Sequence, residues 1–417
     1  MSPRRTIRLR EYQPTRERLS RSELDQLLAL PAGLLDLRPL REAGLYELRP
    51  GSTVGAVVLP SVHLLIQPKI PLDNLFFMLG YGAGLTEWRL DRFPFAEDED
   101  LLRAMGWVYD AELRRALRSG VARSYETRAE TLFTLRGRID IGEQVRRRQH
   151  RPFPLECRFD EYTADTELNR VLKAATLHLL HVPGLEANLA RSLRYRLHSF
   201  EEVAAAEYTE GTVPEFTFNR LNDRWEAAAR LAQLILRRQS VRDAEGRVLG
   251  SGYTVDMNKL FEGFVEAVVR KAALRAGWRL EPRQERKLSA RVTMQPDLLL
   301  SRTGRDYAVA DVKYKAPEAG WTHPDLYQML AYCTALGLSS GLLIYAGDAP
   351  SQAHVVERSG IRLEVAGLQL SGPRQELLER TEAIARRLVR SAHQHHRGRS
   401  LLVGHLSRTA LAPLIRA

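Results

Sequence analysis

Two strand-like runs joined by a short turn, at residues 293–315, limit the possible folds of this chain more than any other stretch. The runs read TMQPDLLL and DYAVADVKYK, and the SRTGR between them contains Gly304, a residue typical of hairpin turns. Folding the hairpin about Thr303 and Gly304 brings Asp297 close to Asp311, and a bulge of one residue would align them. The sequence therefore predicts two acids side by side at the open end of a β-hairpin.

A lysine accompanies the second acid. Because side chains alternate between the faces of a strand, Lys313 and Lys315 share a face with Asp311. Two carboxylates within reach of each other repel unless a cation lies between them. Mg²⁺ prefers carboxylate, water and phosphate oxygens, and a lysine nearby can orient a water molecule or neutralise developing charge. The pattern suits phosphodiester hydrolysis, although a solvated hairpin with a surface ion pair fits this stretch better when it is taken alone.

Helical patterns flank the hairpin on both sides. Upstream, DMNKLFEGFVEAVVRKAAL carries an apolar stripe with Glu262 at its edge, where an acid either points into a site or marks the boundary of the stripe. Downstream, HPDLYQMLAYCTALG begins with Pro324, which suits a first helical turn. Gln328 and Tyr332 are four residues apart and project from one face, either as part of a site or as the polar tips of a packed helix.

The order of these elements is similar to that of a known nuclease fold. An acid-bearing helix, two strands with the acids and the lysine, and a helix with Q-x-x-x-Y spacing resemble the PD-(D/E)xK core of the RecB-like branch. The chain also resembles the McrC family, the nuclease subunits of McrBC-type 5-methylcytosine-dependent restriction systems. The resemblance covers most of the chain and includes LLIQPKIP at 64–71, LRGRIDI at 135–141, CRFDEYTADTELNRVLKAA at 157–175, DMNKLFEGFVEAV at 256–268 and DVKYKAP at 311–317.

The resemblance implies a DNA endonuclease that depends on Mg²⁺, or on Mn²⁺. Its partners would be a hexameric, McrB-like AAA+ GTPase, which it stimulates, and double-stranded DNA carrying a modified base. The acids would bind the metal, the lysine would be catalytic, and the glutamine–tyrosine pair would position the lysine, the water or the DNA. The site residues that the resemblance implies are Glu262, Asp297, Asp311, Lys313, Gln328 and Tyr332.

Two other functions remain open at this point. One is a non-cleaving adaptor that only activates an AAA+ NTPase, and the other is a nuclease subunit of a different defence or repair complex. The chain has no G-x-x-x-x-G-K-[ST] phosphate loop, and the glycine-rich GYGAGLTEW at 80–88 lacks the lysine. We therefore expect any NTP-driven step to come from another chain.

Changes in pattern along the chain predict an α+β multidomain fold. Residues 1–80 are expected to form a β-rich, partner-binding region, and residues 81–250 a mainly helical middle region, which includes a helix with acids at its start near 97–100. A turn-rich stretch, QSVRDAEGRVLGSG, places a domain boundary near residue 250. Residues 251–372 are expected to form the nuclease domain with a mixed sheet, and 373–417 a C-terminal helix and basic tail.

Composition adds weaker limits. The net charge of +11 permits a polyanionic partner such as nucleic acid. The basic runs at 146–151 and 393–399 could contact phosphates, although a solvated surface is the simpler interpretation, and the histidines of the second run have no companion metal ligands. Two distant cysteines, Cys157 and Cys333, exclude a disulfide framework and a cysteine zinc site. With neither a secretory signal nor a long apolar run, we expect a cytoplasmic protein without a membrane partner.

Overall fold

The computed structural model describes most of the chain. The residues outside the described part are 1–3, 83–100, 149–150, 183–184, 210, 221, 238–239, 243–247, 290, 316–321, 349 and 411–417. The predicted acidic helix start and most of the glycine-rich stretch GYGAGLTEW therefore lie outside the described residues. None of the described helices combines the length and the apolar composition that crossing a bilayer requires.

The beginning of the chain is β-rich, and its main sheet takes two strands from much further along. In sheet order the five strands are β1 (Arg5–Arg10), β6 (Val62–Gln67), β5 (Thr53–Val58), β11 (Val248–Asp256) and β10 (Ser240–Arg242). Strand β1 runs parallel to β6, and the other neighbours are antiparallel. Strand β11 crosses residue 250, so the predicted boundary falls within a strand that pairs with both β5 and β10. The predicted domain ranges stay predictions.

A second, three-stranded sheet lies beside the first. In sheet order it consists of β2 (Thr15–Arg18), β4 (Leu45–Pro50) and β3 (Leu35–Pro39). Helix α1 (Arg21–Leu28) connects β2 to β3 along the chain. Ser20 and Glu23 form a reciprocal capping box at the start of α1, which satisfies two otherwise unpaired backbone N–H groups.

Helices predominate in the middle of the chain, as the apolar periodicity predicts. The Thr166 hydroxyl accepts a hydrogen bond from the Asn169 backbone N–H and caps the helix that follows. Its apolar stripe, Val171, Leu172 and Ala175, is fully buried. The helices of this region are α2 (Leu72–Gly82), α3 (Leu101–Ala116), α5 (Glu167–Leu180), α6 (Ala187–Leu197) and α7 (Glu226–Arg237).

Between α3 and α5 the chain forms a separate three-stranded sheet where the sequence indicates only a short strand-like run. Strand β9 (Leu155–Thr163) pairs antiparallel with both β7 (Ser124–Leu132) and β8 (Arg138–Ile139). Helix α4 (Ile141–Arg148) connects β8 to β9. Along β7 most side chains on both faces are polar, so the alternation that reveals a half-buried strand is missing there.

The last part of the chain is built on a six-stranded mixed sheet. In sheet order the strands are β12 (Arg279–Leu280), β15 (Leu298–Arg302), β16 (Arg305–Lys313), β17 (Ser340–Ala346), β19 (Arg362–Leu368) and β18 (Gln352–Val355). Strands β16, β17 and β19 are parallel, and the other pairs are antiparallel. A small hairpin of β13 (Arg286–Lys287) and β14 (Thr293–Met294) lies between β12 and β15.

Helices cover both faces of this sheet. Helix α9 (His323–Leu336) packs Met329 and Cys333 against one face, which carries Val309 and Leu343. Helices α8 (Met257–Arg275) and α10 (Arg374–Ala410) pack against the other face. Helix α10 extends through much of the predicted C-terminal tail.

The N-terminal sheet and the mixed sheet share one apolar core, and a buried polar contact also joins them. A single cluster of packed apolar side chains includes residues from Ile7 on β1 to Ala392 on α10. The Tyr314 hydroxyl, just after β16, donates a hydrogen bond to the Glu11 carboxylate. Because Tyr314 follows Lys313 directly, this contact fixes the end of the strand that carries the predicted site.

Candidate active site

The hairpin register places the two predicted acids side by side. Thr303 and Gly304 turn the chain with φ of 51° and 74°, the left-handed region that tight hairpin turns require. Pairing shifts by one residue after Leu300, so that Leu298 lies opposite Ala310. The next step along this register brings Asp297 opposite Asp311, which confirms the predicted bulge.

Asp297 and Asp311 are held by different partners. The Asp297 carboxylate accepts a hydrogen bond from the backbone N–H of Val312 at 2.8 Å. Asp311 is 2% exposed, and its Oδ2 lies 2.7 Å from Nζ of Lys313. Burial and the charge of Asp297 raise the pKa of Asp311 to about 7, while Lys313 opposes that shift. Asp311 is thus a carboxylate whose charge is incompletely compensated.

The predicted helix acid also reaches this edge of the sheet. Arg283, in the segment after β12, places Nη2 at 2.9 Å from Glu262 Oε2 and at 3.4 Å from Asp297 Oδ1. Burial and the charge of Asp297 raise the pKa of Glu262, and Arg283 acts in the opposite direction. One guanidinium nitrogen therefore bridges two carboxylates from α8 and the start of β15.

The glutamine and tyrosine of α9 complete the cluster. Gln328 Nε2 donates a hydrogen bond to the Tyr332 hydroxyl at 2.7 Å, so the predicted pair does interact. The Tyr332 hydroxyl in turn donates to the backbone carbonyl of Gln295 at 3.5 Å. Burial, followed by the charge of Asp311, raises the pKa of Tyr332. Helix α9 is thereby tied to the chain two residues before Asp297.

The donor chemistry of this edge fits a hard divalent cation. Asp297 shares Arg283 with Glu262 and lies opposite Asp311 on the neighbouring strand, and burial and the charge of Asp297 raise the pKa values of Glu262 and Asp311. Oxygen ligands of this kind suit Mg²⁺. In the described part of the chain no three His, Cys, Asp or Glu side chains are already arranged around a common metal position. The positive charge next to these carboxylates comes from Arg283 and Lys313.

Two residues of this neighbourhood carry no signal in the sequence. Arg283 lies in the irregular stretch EPRQERK, where no periodicity reveals its direction. Asp325 resembles an ordinary first-turn acid of α9, yet it is 6% exposed and its Oδ2 lies 2.7 Å from Lys315 Nζ. Lys315 therefore forms an ion pair within the protein, and a contact of this lysine with the DNA backbone, which its place on the face of Asp311 suggests, is a prediction.

The histidines near the C-terminus pack against aromatic rings. Trp278 Nε1 donates a hydrogen bond to His393 Nε2 at 3.1 Å, and the rings of His393 and His396 lie edge-on to Trp278. Nδ1 of His395 lies 3.3 Å from the Ser339 hydroxyl. These contacts place the three histidines in the packing of α10 against Trp278 and Ser339.

Known proteins resemble this chain in part of its sequence and in its fold. The Type IV methyl-directed restriction enzyme EcoKMcrBC of Escherichia coli strain K12 is 27% identical over 135 residues, which are 31% of this chain and 39% of that protein. The matched region thus spans well under two thirds of that relative. A chain from the half-complex of Thermococcus gammatolerans McrB AAA+ hexamers with bound McrC superposes with a TM-score of 0.58 at 18% identity, covering 91% of this chain and 98% of that one. This likeness shows a shared fold.

A family model extends the match over most of the sequence. It is that of the McrBC 5-methylcytosine restriction system component, and it matches residues 48–346. This range contains the acids, the lysine and the glutamine–tyrosine pair described above. The chain belongs to the family of McrBC 5-methylcytosine restriction system components.

Proposed function

We propose that this chain is the nuclease subunit of a McrBC-like, modification-dependent restriction system and cuts double-stranded DNA with Mg²⁺ or Mn²⁺. The observation that carries the proposal is the meeting of three carboxylates and one lysine at a single edge of the mixed sheet. The element order α8, β15, β16, α9 and the Gln328–Tyr332 contact support a PD-(D/E)xK core of the RecB-like branch.

The carboxylates would hold the metal, and the neighbouring groups would orient the reactants. Glu262, Asp297 and Asp311 supply oxygen ligands. A metal bound there lowers the pKa of coordinated water and stabilises charge that develops on the phosphate. Lys313, held beside Asp311, donates to the attacking water or to a phosphate oxygen. Tyr332 fixes the chain just before Asp297 and so keeps the ligands in register.

Substitution within the cluster tests this assignment. Asp311→Ala, assayed with its AAA+ partner, should lose DNA cleavage while it still folds and binds that partner. Asp306→Asn is a matched control, because Asp306 lies on the same strand β16 but at its opposite end, 4.0 Å from Arg286. Cleavage of modified DNA by Asp311→Ala at the wild-type rate would show that the site is elsewhere.

Dependence on an AAA+ GTPase is the second part of the proposal. The solved relative was determined with McrB AAA+ hexamers, and this chain belongs to the same restriction-system family. Besides the predicted partner-binding region at residues 1–80, the sheet β7–β9–β8 with α4 supports a protein partner, because exposed apolar side chains grouped on one small sheet are typical of an interaction surface. These exposed residues are Tyr125, Phe133, Leu135, Ile139, Ile141, Val145, Phe153 and Tyr162.

A charge placed on this exposed apolar surface tests whether it contacts the GTPase. Val145→Glu on α4 should weaken association with the GTPase by about tenfold or more, since an unpaired charge would be buried in the contact. Leu274→Glu is the matched control, because Leu274 is at least as exposed, 77% against 64% for Val145, but lies at the end of α8. Unchanged association for Val145→Glu would place the partner surface elsewhere.

Cleavage of DNA and stimulation of the partner GTPase, measured side by side, distinguish a nuclease from an adaptor. Lys313→Ala should abolish cleavage and leave stimulation of the partner GTPase intact, since Lys313 faces Asp311 and not the exposed apolar surface. Wild-type protein that stimulates the GTPase but never cuts DNA, with any divalent metal, would establish the adaptor instead.

A further inference from the structure

Arg283 occupies the position between two of the carboxylates that would bind the metal. Its Nη2 lies 2.9 Å from Glu262 Oε2 and 3.4 Å from Asp297 Oδ1. The residue belongs to the segment between β12 and β13, outside both strands, and its side chain is 35% exposed. The guanidinium is therefore in direct contact with the acids while its backbone lies in an irregular segment.

The protein itself supplies part of the counter-charge at this edge. Arg283 offsets part of the charge of Glu262 and Asp297, and Lys313 offsets part of the charge of Asp311. A guanidinium keeps its charge at any pH at which the protein is folded, so it leaves the carboxylates only by moving. Without it, Glu262 and Asp297 would repel each other across a half-buried gap.

We propose that Arg283 is a built-in counter-ion that holds Glu262 and Asp297 in place before the metal binds and competes with the metal for them. The inference rests on the proposed function, because it takes these carboxylates as metal ligands. A divalent cation that binds both acids must displace Nη2, so part of its binding free energy is used to break the two ion pairs. Arg283 therefore holds the two acids in position before the metal binds, but it lowers their affinity for the metal.

A second consequence concerns the displaced guanidinium. A planar guanidinium is well suited to bidentate contact with phosphate oxygens, and the bound DNA would bring a phosphate to this edge. Displacement of Arg283 by metal would then be favoured when DNA is present. Metal and DNA would each strengthen the binding of the other through this one residue.

Titration of the full-length protein with Mn²⁺ alone, in the absence of DNA and partner, tests the competition. Arg283→Gln should bind Mn²⁺ about tenfold more tightly than the wild type, which corresponds to loss of one competing charged contact. Arg286→Gln is the matched control: Arg286 lies three residues further along, at the start of β13, and faces Asp306 instead of the site acids, so the Mn²⁺ affinity of this variant should equal that of the wild type.

A measurement without metal separates this role from simple packing. Metal-free Arg283→Gln should melt below the wild type because Glu262 and Asp297 lose their counter-ion, and saturating Mn²⁺ should remove most of that difference. A variant that only disturbs packing would stay destabilised when Mn²⁺ is bound. That result would overturn the inference, and Arg283→Lys, which keeps the charge, should melt closer to the wild type.

The outcomes also separate the inference from the proposed function. In one outcome, Asp311→Asn abolishes Mn²⁺ binding, but Arg283→Gln leaves the Mn²⁺ affinity unchanged or lowers it. This outcome would overturn the role of Arg283 and leave the metal site intact. Mn²⁺ binding that Asp311→Asn does not weaken would place the metal elsewhere, and both proposals would fail together.

Discussion

Two buried aspartates of the mixed-sheet region, Asp325 and Asp311, are held in opposite ways. Asp325, on α9, is 6% exposed and accepts hydrogen bonds from Lys315 at 3.0 Å, Thr322 at 2.7 Å and Tyr345 at 2.5 Å. Burial alone would raise its pKa, but these donors hold the pKa of Asp325 below its usual range. Its charge is compensated within the fold.

Asp311 is buried to a similar extent with far less compensation. Its Oδ2 has the ion pair with Lys313, but within the described residues it accepts no hydrogen bond of good geometry. Burial and the nearby Asp297 raise its pKa to about 7. Burying a carboxylate without a full set of donors destabilises a protein, and such residues concentrate at functional sites. The comparison separates an acid that stabilises the fold from an acid arranged to meet a further cation.

Replacing Asp311 gives the largest expected effect. Asp311→Asn should reduce DNA cleavage by on the order of 10³-fold, about 4 kcal/mol in the activation barrier, because a metal ligand is lost. The same change should leave the metal-free protein as stable as the wild type or more stable, since it removes a poorly compensated charge. Single-turnover cleavage and urea unfolding in EDTA measure the two effects. Strong destabilisation of the metal-free variant would show that Asp311 is structural.

Replacing Asp325 should have the reverse profile. Asp325→Ala leaves Lys315, Thr322 and Tyr345 without their common acceptor, so the free energy of unfolding should fall by about 3 kcal/mol. Cleavage per folded molecule should remain within about threefold of the wild type, because Asp325 contacts none of the proposed ligands. Active-site titration alongside denaturation separates the two effects. If cleavage is lost while stability is retained, the contrast between the two aspartates is wrong.

The features that were predictable from the sequence are those encoded locally. The turn at Thr303–Gly304 and the alternation of side chains along the strands define the hairpin, so the bulge and the side-by-side acids could be predicted before the structure. The helix carrying Glu262 follows from its apolar stripe, and the helix carrying Gln328 from Pro324 at its start and the spacing of Gln328 and Tyr332.

Features that depend on contacts distant in sequence were not predictable. Strand β11 joins a sheet whose other main strands lie about two hundred residues earlier, and nothing in its own sequence specifies β5 as its neighbour. Arg283 reaches Glu262 and Asp297 from an irregular segment without periodicity. Asp325, on α9, is held as a buried charge partly by Tyr345, twenty residues away on strand β17. In each case the local pattern is compatible with several partners, and only packing selects one.

The pH dependence of stability sharpens the contrast further. The pKa of Asp311 is raised from 3.8 to about 7, so between these values the folded protein keeps a proton that the unfolded chain has released. The wild type therefore loses stability as the pH rises through this window, whereas Asp311→Asn does not titrate there. The stability advantage of Asp311→Asn in EDTA should grow from pH 4.5 to pH 7.5 by on the order of 2 kcal/mol. The lowered pKa of Asp325 acts with the opposite sign, because its contribution is lost as the pH falls. A difference that is constant with pH would mean that Asp311 ionises normally.

The smallest expected effect concerns Lys315, which belongs to the structural aspartate rather than to the site. Its side chain is 45% exposed and its ion pair with Asp325 is partly solvated, so Lys315→Met should lower the free energy of unfolding by only about 0.5 kcal/mol. If Lys315 acts only through Asp325, the salt dependence of DNA binding should match that of the wild type. If it also contacts the DNA backbone, the slope of log K against log[salt] should fall by about one. Binding measured at several salt concentrations decides between these outcomes, and a reduced slope would show that one of the two neighbouring lysines serves the fold and the DNA together.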